Sequence, residues 1–261
     1  MIDRASWRLK AEHGIDRGPA WRERRMHTIF AEEFGTVGGE PGARFVIEGD
    51  EAAHAVRVKR VGVGEVVRVL NGAGLVGLAR VEEARKGSVV LILDEVSRAE
   101  RVMPVLHVWS ATPKGGRLDR MIDALAQVGA ASWTALETAR GVVDPRETKL
   151  ERIERLAAEA SKQSGRAWRL ECLGKGTLER ALRRDASDVA VVLADGGGEP
   201  YRRSGCREIR LLIGPEGGWT DGERAMAIEA GATVSRFGAH VMRVETAAVV
   251  GAGCVLAIEQ G

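Results

Sequence analysis

The residues best suited to chemistry lie between Ile209 and Ile258. An apolar run, Ile209 to Ile213, ends abruptly in Gly214-Pro215-Glu216-Gly217-Gly218. Thr220-Asp221-Gly222-Glu223 follows with Thr and Glu spaced as in a capping box, so the order reads strand, tight loop, helix. Gly217 and Gly218 lack a Cβ and admit positive φ, Pro215 fixes one φ, and the helix start leaves N–H groups facing the loop. Such a loop brings backbone close to a small polar ligand. The design then repeats. Thr233 to Phe237 reads as a strand and Gly238-Ala239-His240 as a loop. Val241-Met242-Arg243 leads into a helix of small apolar residues from Ala247 to Ile258, with Glu245-Thr246 at its start. In an open parallel sheet such loops gather at the carboxyl ends of the strands, where ligands bind. Neither G-x-G-x-x-G nor G-x-x-x-x-G-K-[ST] occurs in the required context, which disfavours a dinucleotide site or a nucleotide triphosphatase.

The elements that must position these loops have two textures. From Val105 onward strands and helices alternate. Val105 to Ala111 is a buried strand, and Thr112-Pro113-Lys114-Gly115-Gly116-Arg117-Leu118-Asp119 opens a helix through Met121, Ile122, Leu125 and Val128 that stops at Gly129. Trp133 to Leu136 is a strand, Glu147 to Ser161 has helical spacing, and Val189 to Leu193 is a strand ending in the loop Ala194-Asp195-Gly196-Gly197-Gly198. Repeated strand-helix order predicts an α/β domain with a parallel sheet over 105–261. Residues 26–97 instead carry short Val- and Ile-rich runs (Arg44 to Ile47, Val66 to Leu70, Leu75 to Val81, Ser88 to Leu93) with turn signals at Asn71-Gly72-Ala73-Gly74 and Lys86-Gly87. That spacing predicts a small β-barrel. Asp50 to Arg60 interrupts it as a helix, bringing His54, Arg57 and Arg60 together by the i, i+3, i+6 count. Residues 98–104 read as a linker. Residues 1–25 are polar and irregular. They are too acidic for a transit peptide and lack the apolar core of a secretory signal, so they read as a flexible extension before Met26. A basic arm touching RNA is the alternative.

Composition narrows the class further. With 39 Lys and Arg against 37 Asp and Glu the chain has no basic excess to speak of. Residues 26–97 are net acidic, so any contact with nucleic acid there must be local, through Arg57, Lys59 and Arg60; a solvated helix face is the competing reading. Cys172, Cys206 and Cys254 are scattered, odd in number and without C-x-x-C, which predicts reduced thiols in the cytoplasm and no metal site. The run Ala247 to Ile258 is shorter than the roughly 20 residues of a membrane span, and its small residues suit close helix packing.

The Ile213-Gly214-Pro215-Glu216-Gly217-Gly218 loop, followed by Gly238-x-x-Val241-Met242-Arg243-x-Glu245-Thr246-Ala247, resembles the bacterial 16S ribosomal RNA uridine N3-methyltransferases of the SPOUT superfamily. The likeness extends upstream, through Pro113, Lys114, Gly115, Arg117 and Asp119 and through Glu159, Ala160, Gln163, Ser164 and Arg166, and covers Met26 to the end of the chain. It departs from the family where Gln127-Val128-Gly129 replaces a common Glu-Leu-Gly, and where His240 and Met242 stand in a segment that often carries Arg, which weakens a catalytic role for position 240. The resemblance implies a PUA-like β-barrel that engages RNA, joined to an α/β domain whose last helix is threaded into a trefoil knot. It also implies a homodimer with the cofactor pocket near the subunit interface, S-adenosylmethionine as methyl donor, and the small ribosomal subunit as partner.

Methylating uridine N3 requires an unpaired base, loss of the N3 proton and an in-line electrophilic methyl. The resemblance assigns the cofactor pocket to Ile213, Gly214, Pro215, Glu216, Gly217 and Gly218 with Phe237, Gly238, Val241, Met242 and Thr246, closed by Leu193 and Ala194. Arg243 is the candidate to stabilise negative charge on the uracil oxygens and Glu245 to accept the proton or orient the base; Glu245 and Thr246, at a helix start, also have a purely structural reading. Lys114, Arg117 and Arg166 are candidates for phosphate contacts, and Asp119 for capping its own helix. His54 and His107 read as structural, and Trp109, Trp133 and Trp168 as core or interface residues. Ribose 2′-O methylation and a non-catalytic assembly factor are the alternatives.

Overall fold

The computed structural model describes residues 26–35, 40–144, 149–184 and 187–261. The expected extension over 1–25 and Glu147 at the expected helix start lie outside them.

The N-terminal half is a five-stranded sheet in the order β1-β3-β4-β5-β2. Its strands are β1 (Thr28–Phe30), β2 (Arg44–Glu48), β3 (Val66–Leu70), β4 (Leu75–Arg85) and β5 (Ser88–Arg98), with helix α1 (Gly49–Arg57) between β2 and β3. β3, β4, β5 and β2 pair antiparallel, while β1 joins β3 in parallel. Alternate residues turn inward, as period-2 patterning demands, and Ile29, Phe34, Phe45, Val67, Val69, Val81, Val89 and Leu91 form the core. Helix α1 is shorter than expected. Val58 caps it and Arg60 sits beyond it at φ 55, so Arg60 does not share a helix face with His54 and Arg57.

The C-terminal half is a six-stranded, wholly parallel sheet in the order β11-β9-β10-β6-β7-β8. It comprises β6 (Val105–Ser110), α2 (Arg117–Val128), β7 (Ser132–Leu136), α3 (Leu150–Gln163), β8 (Glu171–Gly176), α4 (Leu178–Leu182), β9 (Val189–Pro200), β10 (Glu208–Ile213), α5 (Asp221–Glu229), β11 (Thr233–Arg236) and α6 (Val244–Gln260). Helix α2 ends at Gly129 in the left-handed region (φ 111), the conformation in which glycine has no Cβ penalty. α5 starts with the expected capping box of Thr220 and Glu223. Asp119 does not cap α2; its carboxylate pairs with Arg152 of α3 at 2.7 and 2.8 Å. β8 and α4 had no distinct signal in the apolar pattern.

The Asp195 to Gly198 segment is not a free loop, as expected from its glycines, but the continuation of β9. β11 pairs with Val192 and Leu193 before it and with Glu199 and Pro200 after it, so the segment bulges where the register jumps at Val234/Ser235, and a Cβ on Gly198 would lie 2.7 Å from the carbonyl oxygen of Val234. The glycine permits that close approach. From edge strand β11 the chain returns beneath the middle of the sheet, where α6 packs on α2, β6 and β10. Glu259 near its end accepts hydrogen bonds from Tyr201 Oη (2.5 Å), the Ser204 N–H (2.6 Å) and hydroxyl (2.8 Å), and the Gly205 N–H (3.0 Å), which ties the β9–β10 connection over the last helix.

Candidate active site

Because the sheet is parallel, the loops after β10 and β11 emerge on one edge. With Ala194, Asp195 and Gly196 of β9 they enclose a cavity of about 510 Å³, within the range of small-molecule sites of roughly 300–1,000 Å³. Its wall combines Ile213 to Gly218 with Phe237, Gly238, Val241, Met242 and Ala194, so the two sequence motifs meet in one place. Gly218 has φ +70 and open space where a Cβ would stand, leaving a cradle that any side chain would enter. Its N–H closes the turn onto the Pro215 carbonyl at 2.8 Å. Phe237 is half-buried and stacks on Tyr201 with ring centroids 5.5 Å apart, which braces the apolar side of the cavity.

Two expected members stand elsewhere. Leu193 is fully buried among Trp109, Leu212 and Trp219, because strand alternation turns it into the core while Ala194 faces the cavity. Thr246 is exposed on the first turn of α6 and does not line the cavity. Residues not anticipated do contribute. Asp195, Trp219, Ser235, Arg236, Ala239, His240 and Ala247 all line it. Trp219 matters most for shape. Its indole N–H donates to the Ala194 carbonyl (2.9 Å), and a Cβ on Gly214 would fall 2.9 Å from that indole. Arg140, on the loop after β7, donates to the carbonyls of Gly217 (2.8 Å) and Trp219 (3.2 Å) and holds the glycine loop from behind. Nothing in local spacing marks Arg140, which lies 77 residues from its partner in the chain.

Neither Arg243 nor Glu245 lines the cavity; both stand at the start of α6, in sequence between the lining residues Met242 and Ala247. Arg243 is the N-cap residue of α6 and is exposed. Glu245 is largely buried, with 16% of its side chain exposed, and among the described residues its Oε2 atom has no hydrogen-bond partner. Arg117 reaches toward both Glu245 Oε1 (3.8 Å) and Glu216 Oε1 (4.0 Å), and its Nε donates to the Lys114 carbonyl. Arg117, expected at phosphates, is therefore the cation beside Glu245. Glu223 accepts from the N–H groups of Ala139 and Thr220 and from the Thr220 hydroxyl, each at 2.8 Å. Burial opposes its ionisation, yet these donors together hold its carboxyl below the usual range.

The expected phosphate contacts fare unevenly. Lys114 and Arg57 are exposed, as is Arg60. Lys59 turns inward, its ammonium donating to the Thr28 carbonyl. Arg166 is spent within the fold. Its guanidinium donates to the carbonyls of Ala126 (2.6 Å) and Ala130 (2.8 Å) at the end of α2, and burial lowers it to about 10, still charged at neutral pH. A half-buried cation there satisfies carbonyls that the helix leaves without partners, which corrects the expectation of an RNA contact. Trp133 is in the core, donating to Ser110 Oγ, and Trp168 lies at the seam between the two halves. No cluster of potential metal ligands occurs among the described residues, and no helix among them is long and apolar enough to cross a membrane.

A family model described as an RNA methyltransferase domain matches residues 101–256, and one described as an RNA methyltransferase PUA domain matches residues 47–94. The chain is 30% identical over 228 residues to ribosomal RNA small subunit methyltransferase E of Mycobacterium bovis, covering 83% of this chain and 87% of that protein. It is 30% identical over 202 residues to the protein of the same name from Synechocystis sp., covering 74% of this chain and 66% of that one. The crystal structure of the Neisseria gonorrhoeae ribosomal RNA small subunit methyltransferase E, bound to S-adenosyl methionine, superposes with a TM-score of 0.76 at 21% identity, covering 89% of this chain and 98% of that one. That likeness is one of fold.

Proposed function

The chain belongs to the family of RNA methyltransferases that join a PUA domain to a methyltransferase domain, and from that premise we propose that it methylates N3 of a uridine in 16S ribosomal RNA. The observation that carries the reading is the single cavity formed where the Gly214–Gly218 loop meets the Phe237–Met242 segment, since two sequence motifs from separate strands build one site. S-adenosylmethionine, when bound, supplies the electrophilic methyl group. The cradle fits such a group: Gly217 and Gly218 keep the wall free of side chains, Ile213, Phe237 and Met242 offer apolar surface, and Glu216 and Asp195 offer acceptors for polar ends. Residues 26–97 serve as the RNA-engaging domain, 98–104 as the linker and 105–261 as the methyltransferase domain.

The protein's own part in the reaction is electrostatic and acid–base. Arg243 stabilises negative charge on the uracil oxygens as N3 loses its proton. Glu245 accepts that proton, for which its unpartnered Oε2 is suited, and Arg117 holds the other carboxylate oxygen in place. Lys114, Arg57 and Arg60 contact phosphates. Half-exposed Ala247, Val249, Val250 and Cys254 on α6 form the apolar contact of a homodimer, and the protein works in the cytoplasm on the small subunit. Nucleoside mass spectrometry of 16S rRNA from a deletion strain tests the reading. Loss of N3-methyluridine is expected. Loss of a 2′-O-methyl group instead would assign ribose transfer, and an unchanged profile would leave an assembly factor without catalytic activity.

A further inference from the structure

Where the two halves meet lies a cleft of about 790 Å³ lined by Arg68, Arg98, Arg101, Arg166, Trp168 and Arg169, with Glu100 as the acid on its wall. It is distinct from the cavity described above. Val105 and Ala131, at the amino ends of β6 and β7, form part of its floor, whereas the other cavity opens at the carboxyl ends. The length of β6 separates them, about 17 Å at 3.3 Å per residue.

We propose that this cleft grips the phosphodiester backbone of the RNA substrate through Arg98 and Arg101, a reading that rests on the functional assignment above. The Arg101 guanidinium carbon lies 3.9 Å from the centroid of the Trp168 ring and that of Arg98 5.0 Å, so one indole holds both cations. Trp168 is itself fixed. Its N–H donates to the Ala99 carbonyl (2.9 Å), and the ring presses on the β3–β4 turn, where a Cβ on Gly74 would lie 2.2 Å away. Backbone hydrogen bonds from Gly74 to Ala167 and from Arg169 to Gly72 close the same seam at 2.9 Å each. Cations held this way lose little freedom on binding a phosphate.

Their neighbours leave them available. Arg166 is committed to α2, Arg169 pairs with Glu32 at 2.6 Å, and Arg68 bonds Thr28. Arg101 approaches Glu171 only to 3.9 Å, and Arg98 has no carboxylate within ion-pair distance among the described residues. Guanidinium forks match phosphate oxygens, and a net acidic N-terminal half needs such local charge to hold RNA.

The test compares wild type, Arg98→Gln and the double variant Arg98→Gln/Arg101→Gln, with thermal unfolding to confirm the fold. Filter binding to protein-free 16S rRNA is measured across a salt series, alongside methylation kinetics on the small subunit. For the double variant the slope of log affinity on log salt is expected to fall by about 1.4–1.8, the contribution of two phosphates. The KM for RNA rises at least about fivefold with kcat unchanged, because the contact is remote from the reacting base. Arg98→Gln alone takes about half of the slope change and answers for the cleft should the double variant fail to fold. An unaltered slope and affinity would overturn the proposal, and so would a loss confined to the assembled subunit, which would mark a protein contact. Wild-type protein that binds rRNA without methylating it would refute the enzymatic reading alone, since the binding data still judge the cleft.

Discussion

Arg166 and Arg117 stand in the sequence as equivalent candidates for phosphate, yet their surroundings give them different work. Arg166 is half-buried against the last carbonyls of α2, and removing it takes the donor from two acceptors at the wall of the cleft. We expect Arg166→Ala to cost about 2–3 kcal/mol, seen as a fall in Tm of roughly 4–12 °C, with the salt slope of RNA binding unchanged. A changed slope at constant Tm would restore the phosphate role. Arg117 approaches Glu216 and Glu245, so its charge is directed at these two carboxylates. Lys114 stays solvated and keeps its candidacy.

Helix α6 joins the two ends of this region, since Arg243 caps its start, Glu245 lies in its first turn and Glu259 stands one residue before its end. The four donors on the Glu259 carboxylate lock the β9–β10 connection to the helix, and Tyr201 passes that order to Phe237 by stacking. Burial works against ionisation of Glu259, but the donors outweigh it and its carboxyl stays below the ordinary value, as does that of Glu223 at the start of α5. A lowered carboxylate contributes stability that is present above its unfolded value and lost as pH falls through the folded one. Unfolding followed by circular dichroism should therefore show stability declining below about pH 4.5, and Glu259→Ala should remove about 3 kcal/mol at neutral pH and flatten part of that decline. An acid profile identical to wild type would exclude the lock.

At the scale of the molecule, the halves are joined by a few polar ties as well as by the linker. Lys162 of α3 donates to Glu51 of α1 at 2.7 Å, and Glu51 also accepts from the Phe30 N–H at 3.0 Å. Burial disfavours both charges, yet the pair outweighs it: Glu51 is lowered and Lys162 raised from their ordinary values. Glu51 thus contributes above its unfolded value of 4.5 and Lys162 below its unfolded value of 10.5, so the tie is complete between them. A double-mutant cycle of Glu51→Gln and Lys162→Met, read by calorimetry at pH 7, should give a coupling of about 1–2 kcal/mol. The variants should also begin to separate the unfolding of the two halves. Additive effects would show that the ion pair does not couple them.

Local chemistry made much of this readable beforehand. The capping box at Thr220, the stop at Gly129, the alternation within β2 to β5 and the paired glycine loops all rest on residue type and spacing within a few positions, which the chain order itself specifies. What only the tertiary structure decided were matters of long-range approach. Gly196 to Gly198 bulge within β9 where its register with β11 jumps, Lys59 and Arg166 turned inward to carbonyls that spacing could not reveal, and Arg140 reached Gly217 across 77 positions. A side chain's partners are set by which elements the fold brings within a few ångströms, so residue type and spacing determined the capacity for chemistry here, and packing determined which residues were left free to use it.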